Sequence, residues 1–362
     1  MVILMAHGGG SNPYIKLLAT SLEAVGLKVR VSDTRYLILW FSVLKYGWPN
    51  VIHLQWPHSY FTSNNLFKAL RKTVLFYIQW FILRLLGVRF VWTVHELVNF
   101  EKHQAAWELF ACRLLARVVD DIIVHCRAVV PDVAAAYRVD PERLRVVAHG
   151  HYADWYPPAI SKEEARHMLG LPTDVLVFLF YGGIRTYKGL DRLLDTFATL
   201  DAENVCLILA GKLRPASLGQ PLLARAAVDP RVMTYFEYIP DDRLVTYISA
   251  CDLVVLPYRE TLTSGAVILA GSYGRPVLIP KLGCMAEFPS SAAILYDPET
   301  PDGLRKALEQ ALSAPLVDMG SAAKSYIEQF PWSLVASEIL AIYLSSLGIS
   351  GDVDIVQLSE TH

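Results

Sequence analysis

Excess positive charge, C-x-x-C motifs, metal-ligand spacings and an apolar run long enough to cross a bilayer are all missing from this chain. Lys and Arg number 33 against 35 Asp and Glu, a net charge of -2, so there is no global basic field and no nucleic-acid partner is expected. The five cysteines, Cys112, Cys126, Cys206, Cys251 and Cys284, form no C-x-x-C and have no histidine at ligand spacing beside them. A reduced, intracellular protein fits that pattern, and no metal is expected. Met1 runs straight into VILMA without a basic leader or a long apolar core. It reads as a first buried strand, and the cytoplasm is the expected compartment. The most apolar stretch, 65–88, is interrupted by Gln79 and Arg84. That falls short of the ~20 apolar residues a spanning helix needs.

What is abundant is core material. Hydrophobic residues make up 53% and charged ones only 19% of 362 residues, enough for two cores at roughly 150 residues per domain. Short β-branched runs at 2–6, 28–32, 51–55, 88–94, 121–125 and 144–148 alternate with helix-length segments. The alternation restarts at 175–182, 205–211, 232–236, 252–257, 276–280 and 292–297. Near-continuous apolar strands between helices indicate parallel sheets buried on both faces. The expected fold is α/β, with two Rossmann-like doubly wound domains.

Paired prolines in 151–160 mark the boundary, and Ser161 with Glu164 gives a capping-box start for the next helix. The expected domains are 1–155 and 156–331, followed by a C-terminal helix in 332–350 packing back toward the first domain and a frayed tail, 351–362. The helix at 65–88 places Phe67, Leu70, Val74, Tyr77, Phe81 and Leu85 on one stripe, with Phe76, Trp80 and Leu83 off it and Lys68, Arg71, Lys72, Arg84 and Arg89 nearby. One face covers the sheet. Apolar residues on more than one side with basic flanks suit an anionic membrane surface, and Trp80 and Phe76 are the side chains expected to meet it.

Chemistry is concentrated at strand ends. The strand 175–182 runs into the turn GGIRTYKG and then a helix. Glycines such as Gly183 let backbone N–H groups approach an anion, and Arg185 and Lys188 add fixed positive charge suited to a diphosphate. A plain tight turn with two solvated cations is the alternative. Further along come Ala210-Gly211, then PDDRLVTYISACDLVVLPY at 240–258, then GRPV at 274–277. In order and spacing these motifs, spread over about 120 residues, resemble the donor half of GT-B glycosyltransferases, especially family 4.

That resemblance implies two domains facing across a cleft, a nucleotide-sugar donor held by the second domain and an acceptor bound by the first. It implies that Arg185 and Lys188 contact the diphosphate, and that RETLTSGAVILA at 259–270, with Tyr258 just before it, begins the helix facing the donor. The family pattern has two glutamates seven residues apart. Here Glu260 stands near the first, Leu269 stands at the second, and Thr261, Thr263, Ser264 and Gly265 supply hydroxyls and backbone N–H groups instead. The T-S-G-A pattern resembles bacterial polysaccharide transferases, including inverting mannosyltransferases of the xanthan-assembly type. Inversion requires a general base. His95 matches the family's histidine after the strand VWTV, and Glu96 beside it is the candidate base; a dipole-favoured carboxylate at a helix start is the alternative.

The loop HGGGSNPY at 7–14 matches the family's glycine-rich cleft loop, with Gly9, Gly10 and Asn12 as candidates beside Gly8 and Ser11. His53, His58, His149 and His151 lie near strand ends, each more readily a structural residue than a ligand. A hydrolase built on AGSYG fails on order, since only His362 follows Ser272. A nicotinamide oxidoreductase fails on Pro13, which stands where the last fingerprint glycine belongs, and Asp33 alone does not restore it. The expectation is a hexosyltransferase, with GDP-mannose as a candidate donor, no cofactor, a lipid-linked or saccharide acceptor, and peripheral placement on the inner membrane face. A GT-B-like epimerase or a non-catalytic sugar-lipid-binding partner remains the alternative.

Overall fold

The computed structural model describes residues 1–6, 12–33, 39–98 and 104–349. Two compact units are present, one comprising Met1–Gly150 with Phe330–His362, the other His151–Gln329. Within each, every strand pairing is parallel.

The first unit contains β1 (Val2–Ala6), β2 (Val29–Asp33), β3 (Val51–Gln55), β4 (Arg89–Thr93), β5 (Asp121–Val124) and β6 (Leu144–Val146), in the spatial order β2-β1-β3-β4-β5-β6. Its helices are α1 (Pro13–Ala24), α2 (Leu39–Tyr46), α3 (Leu66–Leu85), α4 (Ala105–Val118) and α5 (Val130–Tyr137). The second unit contains α6 (Lys162–Leu169), β7 (Leu176–Tyr181), α7 (Leu190–Phe197), β8 (Val205–Ala210), α8 (Gly219–Ala226), β9 (Val232–Tyr235), α9 (Asp241–Ala250), β10 (Leu253–Val255), α10 (Gly265–Ser272), β11 (Val277–Pro280), β12 (Ala293–Tyr296), α11 (Gly303–Ala311) and α12 (Leu316–Ile327). Its sheet runs β12-β11-β10-β7-β8-β9, with the order reversing between β7 and β10. In an open parallel sheet such a reversal leaves a crevice beyond the carboxyl ends of the strands.

Each apolar run read in the sequence is a strand, within two residues at either end. Ser161 caps α6 by accepting the Glu164 N–H at 3.1 Å. The C-terminal helix, Trp332–Ser346, lies against α1 and buries Trp332, Val335, Ile339 and Tyr343 in the first unit's core. At roughly 1.5–3 kcal/mol per fully buried large side chain, those four residues suffice to hold it there. Residues 350–362, including the tail expected to fray, lie outside the described part.

Helix α3 is turned the other way from the expected one. Phe76 is 1% exposed and Leu83 fully buried, with Phe76 packed against Tyr60 and Phe61 at ring separations of 4.9 and 5.3 Å. Trp80 is half-buried. Phe67, Leu70, Val74, Phe81 and Leu85 face outward, joined by Leu75, Ile78, Ile82 and Leu86. The helix is apolar all round, so periodicity could not choose its inner face. Its inner face carries Ala69, Thr73, Phe76, Gln79 and Leu83. Helix α2 contacts α3 and exposes Phe41 and Leu44. No helix among the described residues is long and apolar enough to cross a membrane.

Candidate functional site

In the second unit the turn after β7 is built by glycines. Gly189 has φ +70°, and a Cβ there would stand 2.3 Å from the Pro257 carbonyl oxygen; one on Gly211 would stand 1.9 Å from that of Gly182. Only glycine allows the turn to close onto the ends of β8 and β10. Gly183 is exposed, and Arg185 is half-buried at the N-cap of the short 3-10 turn Thr186–Lys188.

Lys188 ends that turn half-buried, its Nζ 5.0 Å from the centre of the Tyr258 ring and 5.9 Å from that of Phe180. Burial lowers its pKa, and the charge of Arg185 adds to the effect against an opposing influence from Tyr187. No carboxylate within ion-pair distance of Lys188 is recorded among the described residues, so the ammonium is held by aromatic faces, which attract a cation weakly. Tyr258 is buried and its hydroxyl bonds Ser264, whose own oxygen accepts the Val267 N–H at 3.4 Å and caps α10. The first-turn N–H groups of Gly265 and Ala266 lack intrahelical partners by geometry. Thr263 is half-buried, its carbonyl accepting from the Thr261 hydroxyl at 2.8 Å, and Glu260 is half-buried. Leu269 is a core residue. Cations and a helix N-terminus thus gather at the sheet's reversal point, an arrangement that attracts phosphate oxygens.

Arg259 was not singled out in the sequence. It donates to the Thr186 carbonyl at 3.0 Å and to Asp191 at 2.8 Å, and its backbone N–H donates to Tyr187 at 2.7 Å. It staples the turn Thr186–Lys188 to α7.

The first unit's polar residues also collect at the carboxyl ends of its strands. Gln55 lies between two histidines, its Nε2 2.9 Å from His53 Nε2 and its Oε1 2.7 Å from His95 Nε2. His53 also meets Thr93 Oγ1 at 2.7 Å and Tyr343 of the C-terminal helix at 2.6 Å. His95 Nδ1 is 3.3 Å from His125 Nε2, and His125 Nδ1 is 3.1 Å from the Val147 carbonyl oxygen. Tyr14 sets its ring against His95, His125 and His149, while Trp56 stacks on His95 at 4.0 Å. Trp56 has φ 48°, a conformation that costs a non-glycine residue about 1–3 kcal/mol and is held only where surroundings enforce it. Burial drives the imidazoles toward neutrality: His53 and His149 to about 3, His125 to about 4, and His95 well below its ordinary value.

Glu96 follows His95 in the loop after β4 and not in a helix; its Oε1 is 3.7 Å from His58 Nε2. His58 is buried with Nδ1 2.7 Å from Oε1 of the fully buried Glu108. Burial alone would lower the His58 pKa; bonds to Cys112 and Glu108 and the charge of Glu96 carry it well above the ordinary value. His58 is therefore an imidazolium set between two carboxylates. Asn12 caps α1, accepting the Tyr14 N–H at 2.9 Å; Gly8, Gly9, Gly10 and Ser11 lie outside the described residues. His151 belongs to the second unit.

His125, Gln55, Tyr14 and Glu108 escaped the sequence reading. A signal for His125 existed: the runs VWTVH, DIIVH and LRVVAH all carry a histidine just past a buried strand.

Residues 175–314 match the family model described as Glycosyl transferases group 1. The GDP-mannose:glycolipid 4-beta-D-mannosyltransferase of Xanthomonas campestris pv. campestris is 28% identical over 311 residues, covering 84% of this chain and 82% of that one. The D-inositol 3-phosphate glycosyltransferase of Corynebacterium aurimucosum is 27% identical over 245 residues, 64% of this chain and 58% of its own. Among solved structures, sucrose-phosphate synthase from Thermosynechococcus elongatus superposes with a TM-score of 0.77 at 16% identity, covering 96% of this chain and 99% of that one. Anabaena HepE, in complex with UDP and glucose, gives 0.73 at 17% identity over 95% and 99%. Residues 175–314 thus form a group 1 glycosyl transferase domain, and the fold of the chain is that of the GT-B glycosyltransferases it superposes on.

Proposed function

We propose that the enzyme transfers a hexose, with mannose from GDP-mannose as the first donor to test, to a lipid-linked saccharide, inverting the anomeric centre. The observation that carries the donor half is Lys188, a half-buried cation with no carboxylate within ion-pair distance among the described residues, lying beside Tyr258 at the start of α10. A diphosphate supplies the counter-charge, and Arg185 with the Gly265 and Ala266 N–H groups supplies further donors. Such groups stabilise charge as it develops on a departing nucleotide, so the site needs no metal or other cofactor.

In the first unit Glu96 takes the acceptor hydroxyl proton. The acceptor oxygen bonds to the anomeric carbon, the bond from that carbon to the phosphate oxygen breaks, and its electron pair leaves with the diphosphate. His58 and Glu108 position the Glu96 carboxylate. The Xanthomonas relative, named for a beta-linked product and a glycolipid acceptor, supports inversion from an alpha-linked donor and supports a lipid-linked acceptor.

Peripheral attachment to an anionic membrane face is part of this reading. Helices α2 and α3 present Phe41, Leu44, Phe67, Ile78, Phe81 and Leu85 outward, with Lys45, Lys68 and Arg71 exposed beside them. An apolar face bordered by lysine and arginine suits the headgroup boundary of an anionic leaflet. A thermal-shift screen against GDP, UDP, ADP and their sugar conjugates tests the donor site, since a ligand bound only by the native state raises stability by RT ln(1 + [L]/Kd). A shift confined to guanine nucleotides supports GDP-mannose; a shift with none of them removes the reading.

A further inference from the structure

The first unit's buried polar chain has one fixed end. The Val147 carbonyl can only accept, so His125, 3.1 Å away through Nδ1, donates there and turns a bare Nε2 toward His95 Nδ1 at 3.3 Å. His95 must then donate from Nδ1, and a neutral ring doing so has a bare Nε2 toward the Gln55 carboxamide at 2.7 Å. The structure sets Gln55 Oε1 at that contact, but only the amide nitrogen can meet a bare Nε2, so the carboxamide is to be turned end for end, an exchange of two atoms of nearly equal size. The carboxamide oxygen then faces His53 Nε2 and Thr93 Oγ1, and His53 accepts from Tyr343 through Nδ1. Every member is satisfied with every imidazole neutral. With the amide oxygen toward His95 instead, two lone pairs confront each other at His95–His125, or a buried ring carries an uncompensated proton.

We infer that Gln55 is a positioning residue whose amide nitrogen, turned toward His95, fixes that ring as the neutral Nδ1–H tautomer. Both nitrogens of His95 are then committed within the unit. His95 takes no proton during transfer, and the base is left to Glu96. Only this catalytic consequence rests on the transferase reading; the tautomer stands or falls by itself.

The test is long-range 1H–15N spectroscopy of the full chain labelled with 15N-histidine, from pH 5.5 to 8. The expected result is a His95 signal of the Nδ1–H form throughout, with His53 in the Nε2–H form. An Nε2–H tautomer or an imidazolium at His95 overturns the inference. Gln55→Glu places acceptor oxygens at both ends of the same shape, and should convert His95 to a form protonated at Nε2. An unchanged His95 in folded Gln55→Glu also overturns it. Tyr343→Phe removes a donor beyond His53 but leaves the Val147 end intact, and should not move the His95 signal; a change there overturns the polarity. If Gln55→Glu does not fold, the wild-type and Tyr343→Phe spectra decide.

Discussion

The Lys188 ammonium stands 5.0 Å from the centre of the Tyr258 ring, and the hydroxyl of that ring bonds Ser264 at the cap of α10. Through this pair the turn after β7 and the helix after β10 converge on one place where an anion would be held from both sides. Lys188→Ala should lower turnover with GDP-mannose by about 10²–10³-fold, the size of loss seen when one donor to developing charge is removed. The melting temperature should hold within a few degrees, because Lys188 is half-buried and has no ion-pair partner among the described residues. Steady-state kinetics beside a melting curve make the comparison, and wild-type rates would remove Lys188 from the diphosphate.

His58, between Glu108 and Glu96, separates stability from catalysis. His58→Leu leaves Glu108 buried without its imidazolium and should cost about 3–5 kcal/mol, as breaking a buried pair on one side does. Glu96→Gln should cost under ~1 kcal/mol yet depress kcat by at least ~10²-fold, with nucleotide binding unchanged. Urea unfolding and turnover of both variants check the contrast. An active Glu96→Gln enzyme would move the base elsewhere.

Acid should unfold the protein early. His53, His125 and His149 are held down at about 3 to 4 by burial, against about 6.5 in an unfolded chain. Above pH 6.5 these rings are neutral in both states and contribute no pH dependence. Below it the unfolded chain binds protons that the native state does not, so stability falls until pH reaches the native values. Each ring contributes a slope on the order of 1.4 kcal/mol per pH unit in that window. His58 has the opposite sign: raised in the native state, its contribution is present below pH 6.5 and lost as pH rises through its native value. Denaturant titrations from pH 4 to 8 should therefore show stability greatest near pH 6 to 7, and a flat profile down to pH 4.5 would refute the neutral cluster.

The α2–α3 face predicts membrane behaviour residue by residue. Replacing Ile78, Phe81 and Leu85 together by Asn should weaken co-sedimentation with anionic vesicles by roughly tenfold or more and leave stability within ~1 kcal/mol, since all three are exposed. Phe76→Ala should instead destabilise by about 3–5 kcal/mol, as a buried aromatic does. Unchanged sedimentation of the triple variant would end the membrane reading.

The strands among the described residues and the glycine turn at 182–189 were legible in the chain because parallel strands buried on both faces read as continuous apolar runs, and because glycine and cations at a strand end leave a local signature. Cap Ser161 and the helix that starts near 332 were legible for the same local reasons. The rotation of α3 was not, because a helix apolar on all sides carries no information about its inner face until packing buries Phe76 and Leu83. Nor was the polar chain from Tyr343 to Val147. Its members lie far apart in sequence, His53 and Tyr343 by 290 residues, and only the sheet order and the docking of the last helix bring their side chains within hydrogen-bond distance. The sequence determined which residues end strands; the tertiary structure decided which of them share protons, because a hydrogen bond depends on distances that no local pattern records.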